Sequence, residues 1–195
     1  MLVRIGQSAD HGFDAPLGLL SDCHRRIERF LSVLVAVADA RRGAELTPED
    51  RAVLTAALHY FKTAAPRHSA DEEQSLFPRL RSSHDPQARA AVARLDMLES
   101  DHRVAEDHHD AVDALARRWL RQGSLRAGDA RSLREHLVAL ERLYRHHIAV
   151  EDRELFPAAE RLLSAADLEA VGREMAARRD VAFAPPADLE DLRGG

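Results

Sequence analysis

One cysteine, Cys23, stands in the whole chain, so no disulfide can form within it. That usage suits a reducing, cytoplasmic compartment. Aromatic residues are scarce, at 5% of 195 positions, with one tryptophan and two tyrosines. A core must then be built mainly from aliphatic side chains, which an apolar content of 45% can supply. Neither sign of charge dominates: 28 Lys and Arg stand against 33 Asp and Glu, a net charge of −5. Such a balance carries no electrostatic footprint of nucleic-acid binding. The longest apolar run, "FLSVLVAVA" at 30–38, is far too short to span a membrane. The opening "MLVRIGQSAD" lacks a basic segment followed by an apolar run, so no signal peptide is expected.

Histidine is what the chain has in excess, eleven in all. Histidine is a common metal ligand, so their positions require an explanation. Most of the rest is Ala, Leu, Arg and Glu, all favourable to helix. The pattern predicts a first helix from Pro16 to Arg42, ended by Gly43. Thr47, Pro48 and Asp50 read as the N-cap, first position and acidic partner of a second helix. That helix should kink at Pro66, resume through "RHSADEEQSLFPRLR" and finish by 82–85. A third helix is expected from near Pro86 to Gln122. A fourth should run from about Gly128 through a second Leu-Phe-Pro, and a fifth over about 165–180, capped by Ser164 and Asp167. The expected organisation is an irregular lead at 1–15, a helical bundle at 16–163, and a C-terminal helix and tail at 164–195.

Within this frame the chain repeats itself. "HSADEEQSLFPRL" at 68–80 returns 79 positions later as "HIAVEDRELFPAAE" at 147–160. His24 has its counterpart in His102, 78 positions on, and Glu28 in Glu106. A duplicated helix hairpin gives an all-α fold: an antiparallel up-down four-helix bundle with approximate two-fold symmetry, plus the short fifth helix. Residues four apart on a helix differ by about 40° in direction and about 6 Å in height, so they face the same way. Each of the four bundle helices carries such a pair: His24/Glu28, His68/Glu72, His102/Glu106 and His147/Glu151. The midpoints between His24 and His68, and between His102 and His147, fall in the two hairpin loops. All four histidines should therefore lie at one level and converge on the bundle axis. Imidazole and carboxylate without thiolate fit iron or manganese, and zinc less well. Four histidines and two shareable carboxylates are too many for one tetrahedral zinc but suit two ions bridged by glutamate.

These motifs resemble the hemerythrin-like, HHE cation-binding family. The resemblance rests on a histidine in helix 1, "HSADEEQSLFP" in helix 2, "ESDHRVAE" in helix 3 and "HHIAVEDRELFP" in helix 4, and covers about residues 16–160. It implies that His24 and His68 hold one iron and His102 and His147 the other. Glu72 and Glu151 would bridge them, with an oxo or hydroxo group completing the bridge. Oxygen-carrying members use a second histidine four positions after the helix-3 histidine, where this chain has Glu106. The pattern is closer to bacterial members with four histidines and two glutamates, some implicated in repair of iron centres. Those repair proteins carry an additional cysteine-bearing N-terminal segment that Cys23 alone does not reproduce. The partner implied is a small diatomic or peroxide ligand, with an electron donor of unknown identity, in oxidative or nitrosative stress or iron homeostasis. Three classes stay open: a peroxide- or nitric-oxide-consuming oxidoreductase, a non-catalytic sensor, store or donor, and a module whose metal only staples the bundle.

Other polar residues carry more than one reading. Glu28 and Glu106 could be ligands, or polar groups behind them that line a path to the ions. His109, two turns from His102, could sit in the core or behind the ligands; Tyr144, a turn before His147, could hydrogen-bond there or simply pack. Glu73 reads as part of a solvated face, and Cys23 as a small hydrophobe. His59, His84, His108, His136 and His146 read as structural or exposed. Leu-Phe-Pro reads as packing plus helix termination.

Overall fold

The computed structural model describes residues 11–183; the first ten residues of the lead and the tail from 184 lie outside them. Eight α-helical segments make up the described chain: α1 (Pro16–Arg41), α2 (Pro48–Thr63), α3 (Ala65–Asp71), α4 (Phe77–Arg81), α5 (Ala88–Gln122), α6 (Ala127–Val150), α7 (Phe156–Leu162) and α8 (Ala165–Ala177). No strand occurs among the described residues, and none of their helices is long and apolar enough to cross a membrane. α2, α3 and α4 run on as one bent rod, as do α6 and α7, so the architecture is an antiparallel four-helix bundle with α8 laid outside it.

The expected caps are present. The Thr47 side chain accepts from the Asp50 N–H and the Asp50 carboxylate accepts from the Thr47 N–H; Ser164 and Asp167 do the same for α8. α1 ends at Arg41, one residue earlier than expected, because Arg42 already adopts the left-handed conformation at φ 48°, followed by Gly43 at φ 85°. The two hairpin loops are tied to each other: the Leu125 N–H donates to the Gly43 carbonyl at 2.8 Å. The buried Trp119 indole donates to the Ala44 carbonyl at 2.9 Å. These bonds hold the hairpins in register, so residues equally far from each loop lie level with one another.

Leu-Phe-Pro does not stop its helix, contrary to expectation. Each copy instead closes a π-helical turn, Glu72–Leu76 and Glu151–Leu155, and the chain continues into α4 and α7. The Phe77 N–H donates to the Glu72 carbonyl, and that of Phe156 to the Glu151 carbonyl, five residues back. Proline supplies the cause. In an unbroken α-helix the rings of Pro78 and Pro157 would collide with the carbonyls of Gln74 and Arg153 and offer them no N–H. Widening the turn by one residue relieves both problems, and such bulges often lie at functional sites. Each π-helical turn begins at the glutamate of the repeat.

Aliphatic side chains fill the core in two clusters. Toward the hairpin loops, Ile27, Leu34, Leu54, Leu137 and Leu140 surround Trp119. Toward the other end, Leu20, Leu76, Phe77, Leu95 and Leu98 meet Val171 and Met175 of α8. The repeated histidines and glutamates lie between these clusters. α8 seats closely on the lead because residue 172 is glycine: a Cβ there would fall 1.9 Å from the Phe13 carbonyl oxygen. Gly172→Ala must push α8 away from that backbone. It should cost about 1–3 kcal/mol, read as a lower thermal midpoint with unchanged helix content by circular dichroism.

Candidate metal centre

Four buried histidines and two fully buried glutamates converge where the two halves of the bundle meet. His24 comes from α1, His68 from α3, His102 from α5 and His147 from α6. Glu72 and Glu151 come from the first residues of the two π-helical turns. The His24 Nε2 lies 3.8 Å from Glu72 Oε1 and 3.1 Å from Glu151 Oε2. His68 Nε2 stands 3.4 Å from Glu72 Oε1, while His102 Nε2 stands 3.3 Å from the other oxygen, Oε2. His147 Nε2 is 3.1 Å from Glu151 Oε2 and 3.1 Å from His102 Nε2. Two overlapping groups result, His24/His68/Glu72/Glu151 and Glu72/His102/His147/Glu151, each with its ligating atoms within 4.8 Å of one another. Both glutamates belong to both groups, the arrangement of a binuclear site.

The donor atoms fit cations. Buried polar atoms are ordinarily hydrogen-bonded. Here His24 Nε2 and all four carboxylate oxygens of Glu72 and Glu151 are buried without a hydrogen-bond partner. They face one another across a common centre, and a cation between them would satisfy all five.

Behind these atoms sits a set of carboxylates that sequence reasoning missed or misread. Asp152 accepts from His24 Nδ1 at 2.9 Å and from the Ser21 hydroxyl at 2.8 Å. Asp101 stands 3.3 Å from His147 Nδ1. Glu73 is not simply part of a solvated face: its Oε1 lies 2.7 Å from His102 Nδ1. Carboxylates so placed orient an imidazole and raise its basicity toward a metal. A signal was present, because both copies of the motif continue with a second acid, Glu72-Glu73 and Glu151-Asp152, and Asp101 directly precedes His102.

The remaining expected residues divide. His109 and Tyr144 stand behind the site as a bonded pair, Nε2 to hydroxyl 2.9 Å, with Phe61 stacked on the His109 ring. Glu28 is exposed and takes no part, while Ile27, one residue before it, is buried in the core. Glu106 is also exposed, at the edge of a cavity. His59, His84 and His146 are exposed, His108 and His136 pair at 2.9 Å away from the site, and Cys23 is buried.

Charge in the metal-free protein is balanced within the cluster. Burial alone would lower His24, but the Asp152, Glu151 and Glu72 carboxylates hold it well above its ordinary value. Burial is likewise outweighed at His102, which Glu72, Glu151 and Glu73 raise to about 9, and His147 is also raised, chiefly by Glu151. His68 is the exception, with burial dominating and lowering it to about 4. Glu72 is held well below the usual carboxylate range, against burial, by His68, His102 and His24. Glu151 is also lowered: His147 and His24 overcome burial and repulsion from Glu72.

A cavity of about 340 Å³ opens between α2–α3 and α5 and reaches His102, Glu73 and Tyr144. Its lining includes no other member of the six, so the second group is the one open to a molecule entering this way.

An antiparallel four-helix bundle with a buried histidine–glutamate cluster between its halves defines a class of metal-binding helical proteins. The chain belongs to the hemerythrin family: the model of the hemerythrin HHE cation-binding domain matches residues 15–159. It is also similar to an uncharacterised protein of Haemophilus influenzae, 29% identical over 172 residues, spanning 87% of this chain and 92% of the other. α8 lies beyond the matched domain and packs back onto it.

Proposed function

We propose that this chain is a non-haem di-iron protein that reacts with a small oxidant, peroxide, oxygen or nitric oxide, in the cytoplasm. The observation that carries the reading is the pair of overlapping groups sharing Glu72 and Glu151. Four imidazoles and two carboxylates without thiolate favour iron over zinc. His24 and His68 would hold one ion, His102 and His147 the other, and the glutamates would span both. Bound there, two irons supply one-electron redox chemistry at each ion and a coordination position for the oxidant. The chain's own part is positional. Asp152, Glu73 and Asp101 fix the rings of His24, His102 and His147. The two apolar clusters exclude water above and below, and the cavity admits the oxidant on the His102 side.

Protein loaded with two irons should consume hydrogen peroxide, followed by loss of its ultraviolet absorbance, while the metal-free protein should not. Iron-loaded protein that binds oxygen or nitric oxide yet turns nothing over would move the assignment to a sensor or store. Elemental analysis that finds one zinc and no iron after growth in iron-replete medium would refute the metal assignment itself.

Metal uptake should also release protons. The neighbouring carboxylates raise His24, His102 (to about 9) and His147, so these imidazoles hold a proton more firmly than free histidine, and a protonated ring must lose that proton to bind an ion. Apparent affinity should therefore rise from pH 6 to pH 9. Titration calorimetry in two buffers of different ionisation enthalpy should give different apparent heats; equal heats would show the site already deprotonated.

A further inference from the structure

The cavity beside His102 is far larger than hydrogen peroxide or a diatomic gas requires. A water molecule occupies about 30 Å³ of liquid, so the cavity of about 340 Å³ would be left mostly empty by an oxidant of two heavy atoms. The space is built into the packing. α2 and α5 approach each other at few points, because the rod bends at the α2–α3 junction and small residues, Ala65, Ser69, Ala70 and Ala105, line the gap.

The chemistry of its wall is divided. Leu58, Phe61 and Val112 give it an apolar side, against which the His109–Tyr144 pair presents hydroxyl and imidazole. Burial keeps that imidazole neutral, down to about 4, and holds the phenol above its ordinary value, so this end of the cavity is polar but uncharged. Its charged lining is of both signs and largely paired: Lys62 Nζ lies 3.9 Å from Asp110, Arg117 bonds Asp113 at 2.7 Å and Glu73 lies 2.7 Å from His102, with Glu106 and Arg103 beside them. With those charges already matched, an organic anion would lose its water there for little counter-charge, so a neutral ligand is favoured.

We infer that this cavity is a binding site for a neutral organic molecule with an apolar body and a hydroxyl or hydroperoxy head. The body lies against Leu58, Phe61 and Val112, and the head meets the Tyr144 hydroxyl next to His102. The inference deepens the oxidant reading by naming the class of ligand its site takes. Binding of a redox-inert alcohol can be measured whether or not the centre consumes peroxide, so the two can fail separately.

The probe is 2-phenyl-2-propanol, titrated into iron-loaded protein and followed by calorimetry and ligand-observed nuclear magnetic resonance, with benzoate as the anionic comparison. Saturable binding to one site is expected, at least tenfold tighter than benzoate. Ser69→Trp, which fills the cavity from a partly exposed position, should weaken the alcohol tenfold or more while iron content persists. Tyr144→Phe should weaken it severalfold by removing the hydroxyl partner. Ala70→Phe serves as the second filling variant should Ser69→Trp lower the thermal midpoint. Undetectable binding, benzoate bound as tightly as the alcohol, or binding untouched by a folded filling variant would each overturn the assignment.

Discussion

Glu72→Gln and Glu151→Gln should each take the protein from two metal ions per chain toward one or none, with affinity reduced about 100-fold or more. Each glutamate belongs to both ligand groups, so a single amide removes a charged donor from both ions. Metal bound only to the folded state stabilises it by mass action, about 2.7 kcal/mol when its free concentration is 100 times Kd. A 100-fold loss of affinity therefore removes most of that increment. The thermal midpoint should fall sharply in metal-containing buffer and much less in chelator. A purely structural role would lower both alike, and that result would refute the ligand assignment. Glu28→Gln supplies the contrast: its exposed carboxylate should leave metal content and both midpoints unchanged.

Arg178→Ala combined with Arg179→Ala should cost about 3–5 kcal/mol, roughly ten degrees of thermal midpoint for a chain of this size. Both arginines leave the C-terminal end of α8 and close on Asp71, which is fully buried next to Glu72. Arg178 bonds Asp71 Oδ1 at 2.8 Å, and Arg179 bonds Oδ2 at 2.6 Å. Arg178 also donates to the Ser75 hydroxyl at 2.6 Å, inside the π-helical turn, and Arg79 forks onto Glu174 of α8. Burial raises the Asp71 carboxyl more than the two guanidiniums lower it, so water would suit this ion better than the fold does. The consequence is asymmetric. Removing both arginines strands a buried anion, whereas Asp71→Asn leaves two guanidiniums about 20% exposed that solvent can reach. Asp71→Asn should therefore cost much less than the double arginine variant. The double variant should recover part of its loss at pH 5, where the stranded acid takes a proton. Comparable losses for the two variants, measured by denaturant unfolding, would show that the clamp does not work this way.

Several features were legible in the chain itself because they depend on local spacing. Thr47-Pro-Glu-Asp and Ser164-Ala-Ala-Asp are caps by chemistry alone, and both form. The duplicated His-x3-Glu spacing places its pairs on one helical face, and equal distances from the hairpin loops bring His24, His68, His102 and His147 to one level. Those arguments need only the helical rise and rotation, so the bundle and its four converging histidines were legible from spacing, while the choice of Glu72 and Glu151 over Glu28 and Glu106 came from the family resemblance.

What tertiary structure decided is what crosses between helices. The same spacing gives His24 and His68 a glutamate one turn on, yet Glu28 faces solvent and Glu72 is fully buried. Phase against the core separates them, and phase depends on which neighbours a helix meets. Leu-Phe-Pro looked like an ending in one dimension. In the packed bundle it is a widened turn, because Leu76, Phe77, Leu155 and Phe156 are held in the apolar core and the chain can relieve its prolines only by adding a residue to the turn. Glu73 and Asp152, inside those turns, reach His102 and His24, contacts between residues 29 and 128 positions apart. The sequence by itself determined which side chains could serve a metal and at what height. Only the packing of helix against helix determined which of them share one centre, which carboxylates support it, and on which side it is open.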